Sequence, residues 1–233
     1  MPKLHFSNIL VFAVLISLFG MVTIIVLAFS SNPTTYEYYD SWRKPIAGLA
    51  FGLVCVWGLL ASIYPKTCIG TVSQHGLSSQ STTEPRSCRK TVSVRGHHFD
   101  CGRYSDHIWR VHGRCFCAAC SGLALGASLA LTGTFFYFFL GKGAPQPGTS
   151  LLLVGELGVV LGFVQFKSRS YVRLLLNAVF VLSAFLVLIE VDSLTESLLV
   201  DLYAVGVMLV WILARILLSQ WDHRRICLNC SLN

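Results

Sequence analysis

Charge is what this sequence has least of. Only 12% of its 233 residues are Asp, Glu, Lys or Arg, where a soluble domain carries about a quarter. Apolar residues make up 54% of the chain and the mean hydropathy is +0.65, which excludes a water-soluble globular fold. The sequence also contains no nucleotide fingerprint, no phosphate-binding glycine loop and no recognisable nucleophile motif. It shows no lipidation signal and none of the inverted repeats that mark many secondary transporters. What it has instead is long apolar runs, nine cysteines and a net charge of +7. In a soluble protein that charge would point to nucleic acid, whereas in a membrane protein basic residues first report orientation.

A spanning helix needs roughly 20 apolar residues, because about 30 Å of hydrocarbon is crossed at 1.5 Å per residue. Six segments meet or approach that length: Ile9 to Phe29, Pro45 to Ile63, Ser121 to Leu140, Thr149 to Phe166, Tyr171 to Ile189 and Ser197 to Leu218. The fourth is the weakest, being short and carrying Glu156; the fifth holds Arg173 near one end and Asn177 inside. The expected fold is an all-α membrane protein of about six transmembrane helices. Residues 1–63 form a helix pair, 64–120 a loop, 121–218 a four-helix membrane region and 219–233 a tail.

Six spans put both termini on one side of the bilayer, so the Lys and Arg distribution is a test. Fifteen of the 18 fall on the side of the termini and the long loop, leaving Arg43, Lys44 and Lys142 on the other. By the positive-inside rule both termini and the loop of residues 64–120 are expected in the cytosol, with the chain in the cell membrane. No nucleic-acid partner is expected; the lipid bilayer is the partner that composition demands. The first span is expected to be an uncleaved anchor, since its apolar run outlasts an ordinary signal-peptide core and no clear small-x-small cleavage site follows.

The loop changes character half-way. Residues 64–92 are rich in Ser, Thr, Gly and Gln, as a flexible linker is. Residues 93–120 include RGHHFDCGRYSDHIWRVHGRCFCAAC, with His97, His98, Cys101, His107, His112, Cys115, Cys117 and Cys120. HIWRVHGRCF, turning at Gly113, is expected to form a short hairpin. In a reducing compartment clustered Cys and His point to metal or catalysis before disulfides. Zinc suits the set, because its structural sites are tetrahedral and built from thiolate and imidazole, with paired Cys two residues apart. Cys117-Ala-Ala-Cys120 has that spacing. Two sets complete the coordination: Cys101 with His97 or His98 nearby, or a second Cys-x-x-Cys, Cys227 and Cys230, in the C-terminal tail. A structural zinc would fold a loop that has no core of its own. The other readings of these residues are an open catalytic zinc served by Asp100 or Asp106, thiol redox chemistry at Cys117 and Cys120, and no metal. Cys55, in the second span, is expected to be a small buried hydrophobe.

HHFDC, followed by CFCAACSGLALGA running straight into a membrane helix, resembles a family of predicted membrane proteins of unknown function. The family pattern is an upstream His-containing element, then Cys-x-x-Cys-Thr-Gly and a glycine-bearing helix. Its counterparts here are His97, His98 and Cys101, then Cys117, Cys120, Ser121, Gly122 and Gly126. Ser121 stands where Thr is usual, and Ala119 where Arg or Gly is usual. The resemblance covers residues 97–126; it implies the local His and Cys ligand set over the C-terminal pair, and it implies no activity.

Within the spans, Gly48 and Gly52, Gly122 and Gly126, and Gly158 and Gly162 repeat the small-x-x-x-small spacing that lets helices approach closely. Phe135 to Phe139 cluster where an interfacial aromatic belt belongs. Arg173 and Arg215 are near enough to the cytosolic ends to snorkel. Glu156 and Asp201 are expected at similar shallow depths near the outer face, an intramembrane polar site of the sort that marks an ion path. Three functions follow: a non-enzymatic membrane module organised by zinc, a cation or small-solute transporter using Glu156 and Asp201, and a metal- or thiol-dependent membrane enzyme. Six helices are few for a transporting monomer, so the second expects a homo-oligomer.

Overall fold

The structure, a computed structural model, describes residues 2–30, 40–63, 108–111, 114–141, 149–165, 168 and 170–230. The elements run α1 (Pro2–Ser30), α2 (Asp40–Ile63), β1 (Ile108–Val111), β2 (Arg114–Cys117), α3 (Ala118–Thr134), α4 (Thr149–Phe163), α5 (Ser170–Thr195) and α6 (Leu198–Cys230). A π-helical turn, Phe135–Phe139, continues α3. Among the described residues the regular structure apart from one two-stranded hairpin is helical, the architecture of a multi-pass membrane protein. Its exterior agrees: Phe12, Phe19, Trp57 and Leu199 are all more than 60% exposed. Such a surface suits hydrocarbon and would aggregate in water.

Five of the helices are long and apolar enough to cross a bilayer. The exception is α4, whose 15 residues reach about 22 Å at the helical rise, so the weakest of the six expected spans is also the shortest helix. α5 is the central element, packing against α3, α4, α6 and α1, while α2 lies on α3 and α1 on α6. The α3–α5 and α4–α5 seams are narrow because glycine lines them. Gly122 and Gly126 back onto the Leu174 and Ala178 carbonyls, and Gly158 receives the Ser183 side chain. Between α1 and α6 the Trp211 indole donates to the Ser17 carbonyl at 3.2 Å.

Helix ends depart from the apolar runs in three places, each for a local reason. α2 starts at Asp40, five residues before Pro45, so the helix carries Arg43 inward on its first turns. α5 continues past Ile189 to Thr195, because acidic residues end a hydropathy run without ending a helix. It stops where Glu196 takes a positive φ of 47°, the left-handed turn that commonly closes a helix, and Glu196 donates its amide to the Asp192 carbonyl at 3.2 Å. Third, α6 runs unbroken past Leu218 to Cys230. No Gly or Pro follows Gly206 to interrupt it.

Candidate functional site

The Cys-x-x-Cys motif sits where the hairpin becomes a membrane helix. β1 and β2 pair antiparallel with Val111 opposite Arg114 and Ile108 opposite Cys117, the hairpin that the sequence pattern expected; His112 and Gly113 lie outside the described residues. Cys117 ends β2 in an extended conformation and is the N-cap of α3, with φ −70° and ψ 119°; Cys120 is the third residue of that helix. N-cap and third helical residue are the two positions that a capping box links, each side chain accepting from the other's backbone amide. Both cysteines therefore stand at the N-terminal end of α3. His97, His98 and Cys101 lie outside the described residues. Cys227 and Cys230 fall in the last turns of α6. Among the described residues no three His, Cys, Asp or Glu are grouped so as to hold a metal.

The intramembrane acids divide. Asp201, fully buried in the first turn of α6, belongs to a polar cluster drawn from four helices. Arg43 of α2 donates through Nη1 to Asp192 Oδ1 at 2.6 Å and to Asp201 Oδ2 at 3.3 Å. The same nitrogen lies 3.3 Å from the Asp192 carbonyl. Tyr137 donates its hydroxyl to Asp192 Oδ2 at 2.7 Å, and Lys44 Nζ stands 5.4 Å from the centre of its ring. The two acids meet because only two residues separate α5 from α6. Tyr137 reaches them because the π-helical turn after α3 adds a residue to its last turn, where Leu140 donates to the Phe135 carbonyl at 3.3 Å. Tyr137 and Phe138 therefore face the core while Phe135, Phe136 and Phe139 stay exposed, which corrects the expectation that all five form a belt.

Glu156 has other surroundings. It is buried on α4 beside Leu152 and Val159, and its Oε1 has no hydrogen-bond partner. No hydrogen bond joins it to Asp201 among the described residues.

At the opposite end of the bundle, Arg215 of α6 donates through Nη2 to Gln165 Oε1 at 3.0 Å and to Asn177 Oδ1. Its guanidinium lies 4.5 Å over the Phe180 ring. Asn177 in turn donates to Gln165 Oε1 and to the Arg173 carbonyl, each at 2.5 Å. Arg215 and Arg173 are both buried, so neither snorkels as the sequence suggested; for Arg215, amide side chains inside the bundle supply the acceptors that water would otherwise provide. Sequence reasoning missed Arg43, Asp192 and Tyr137 as partners of Asp201. The usable signal was an arginine on the side that carries only three of the 18 cations, matched with acids flanking the α5–α6 turn.

No protein-family model, curated protein or solved structure matches this chain.

Proposed function

We propose that the chain is a non-enzymatic multi-pass protein of the cell membrane, organised by one zinc ion on the cytosolic side. In this reading six helices span the bilayer, α4 being the short one, and both termini and the hairpin loop face the cytosol. Cys117 and Cys120 supply two zinc ligands, with Cys101 and His97 or His98 completing the tetrahedron and Cys227 and Cys230 the alternative pair. The observation that carries it is the position of Cys117 and Cys120 at the N-cap and third residue of α3. A metal there would fasten the loop to the start of a membrane helix, folding a segment that is too polar and too short to fold by burial. A protein partner or the bundle itself would then meet a shaped cytosolic surface. The bearing of the 15-to-3 cation asymmetry on orientation is unchanged by the buried arginines, since Arg43 remains with the minority side.

Elemental analysis of the detergent-purified protein is expected to give about one zinc per chain. Cys117→Ser, Cys120→Ser protein is expected to lose it, and Cys227→Ser, Cys230→Ser protein to keep it. A zinc-free wild-type protein with titratable thiols would sink the zinc assignment. Metal lost with the second variant would move the ligand set to the end of α6.

A second reading, a path for a cation, draws on the buried Glu156 oxygen that no donor reaches. It requires that a screened uptake activity be lost in Glu156→Gln and Asp201→Asn proteins; uptake surviving both changes removes its support.

A further inference from the structure

Two acids and one arginine meet inside the bundle. Asp192 and Asp201 are each fully buried and Arg43 is nearly so. The carboxyl groups accept from the same guanidinium nitrogen, Asp192 through Oδ1 at 2.6 Å and Asp201 through Oδ2 at 3.3 Å, so one atom holds the two acids side by side. Tyr137 adds a neutral donor on the Asp192 side. Ionised together, the acids would leave one uncompensated negative charge on this pair and its arginine, in a setting where like charges in contact do not both persist.

The two acids are not equivalent. Asp192 accepts short hydrogen bonds from Arg43 at 2.6 Å and Tyr137 at 2.7 Å, one on each oxygen, which is the surrounding of a carboxylate. Asp201 accepts only the longer bond, at 3.3 Å on Oδ2, and its Oδ1 is buried with no partner. The first turn of α6 favours an anion in general, yet none of its amides donates to that oxygen. Glu190, also buried, leaves α5 about 200° around the helix from Asp192; Lys44 lies on the Tyr137 ring.

We propose that Asp192 and Asp201 form a proton-binding site, in which Asp201 carries one proton and shares it with the Asp192 carboxylate. The proton converts Asp201 from an acceptor beside an acceptor into a donor, gives the buried oxygen a role and removes one negative charge from beside Asp192. It ties the start of α6 to the end of α5 at the turn between them, with α2 and the end of α3 closing the site through Arg43 and Tyr137. The site does not depend on the zinc proposed above, and it needs no transport.

Infrared spectroscopy of the full chain in lipid nanodiscs at neutral pH, in sodium-free buffer, tests this. A protonated-carboxyl stretch is expected in the wild-type protein, shifting in heavy water. It should vanish in Asp201→Asn protein and remain in Glu156→Gln protein, which separates Asp201 from the other buried acid. Because an amide imitates a protonated acid, Asp201→Asn protein is also expected to fold and to melt within a few degrees of the wild type. A wild-type spectrum with no band that depends on Asp201 overturns the proposal, as does an Asp201→Asn protein that cannot fold. A band that sodium abolishes while raising the melting temperature also overturns it, and assigns the site to a metal cation instead.

Discussion

Replacing Arg43 by Gln is expected to be among the most damaging single changes in the bundle, lowering unfolding stability by about 3–5 kcal/mol, because it strands a buried carboxylate. Arg43 holds Asp192 at 2.6 Å and Asp201 at 3.3 Å and bridges α2 to the α5–α6 turn. Equilibrium unfolding in mixed detergent micelles measures the loss. The origin of the effect separates this expectation from a plain packing defect. If the cost is the unpaired charge of Asp192, adding Asp192→Asn to the Arg43→Gln protein should recover more than half of it, although a second native side chain has been removed. If the cost is lost packing around the arginine, the two changes should add, as independent sites do. Tyr137→Phe should cost less, about 1–3 kcal/mol, the usual penalty for removing one donor from a buried acceptor.

The recovery expected in the double variant also bears on why an arginine stands here. Buried ion pairs seldom add much net stability over apolar residues of similar volume, because desolvation consumes most of the Coulombic gain. What a directional pair does supply is choice among alternatives. Helices in lipid have no hydrophobic drive to associate in one arrangement over another. A guanidinium on α2 that pairs with the acids at the α5–α6 turn favours one placement of α2 against α3, α5 and α6.

Hydropathy found the helices of this chain because satisfaction of the backbone in lipid leaves so few alternatives, and it placed α1, α2, α3, α5 and α6 within a few residues where their interiors are concerned. It failed at helix ends, since Glu190 and Asp192 interrupt an apolar run without interrupting hydrogen bonding along α5. The hairpin was visible through His112-Gly113 between two strands rich in β-formers. Cys117 and Cys120 were visible as a pair, but their place at the N-cap and third residue of α3 depends on where that helix begins, three residues before Ser121. The cluster around Arg43 was invisible in its connections, because α2, the π-helical turn, α5 and α6 contribute one or two residues each and no spacing rule links positions 43, 137, 192 and 201. Reading Arg215 as a snorkelling residue failed for the same reason: its partners, Gln165 and Asn177, belong to other segments.

Spacing did announce the glycine seams, and one of them carries the second large effect. Gly122→Ala is expected to destabilise the bundle by about 1–3 kcal/mol, the usual cost of forcing extra volume into a close-packed contact. A methyl group at Gly122 would overlap the Leu174 carbonyl oxygen and lie 2.7 Å from Asn177 Cβ. The first obstacle is backbone of a central helix, which no rotamer change relieves, and the second belongs to the side chain that holds Arg215. Gly126→Ala repeats the problem one turn later, at 2.7 Å from the Ala178 carbonyl oxygen, so the double variant should exceed either single one. Gly206 provides the contrast, because nothing lies within 4 Å of the methyl it lacks. There the same substitution removes only a flexible residue from a helix interior and should stabilise by about 0.5–1 kcal/mol. The discriminating quantity is the sign, read from unfolding of the three single variants in one detergent. Helix propensity alone would make all three more stable, whereas contact across the α3–α5 seam makes two of them less stable and leaves the third as the propensity predicts.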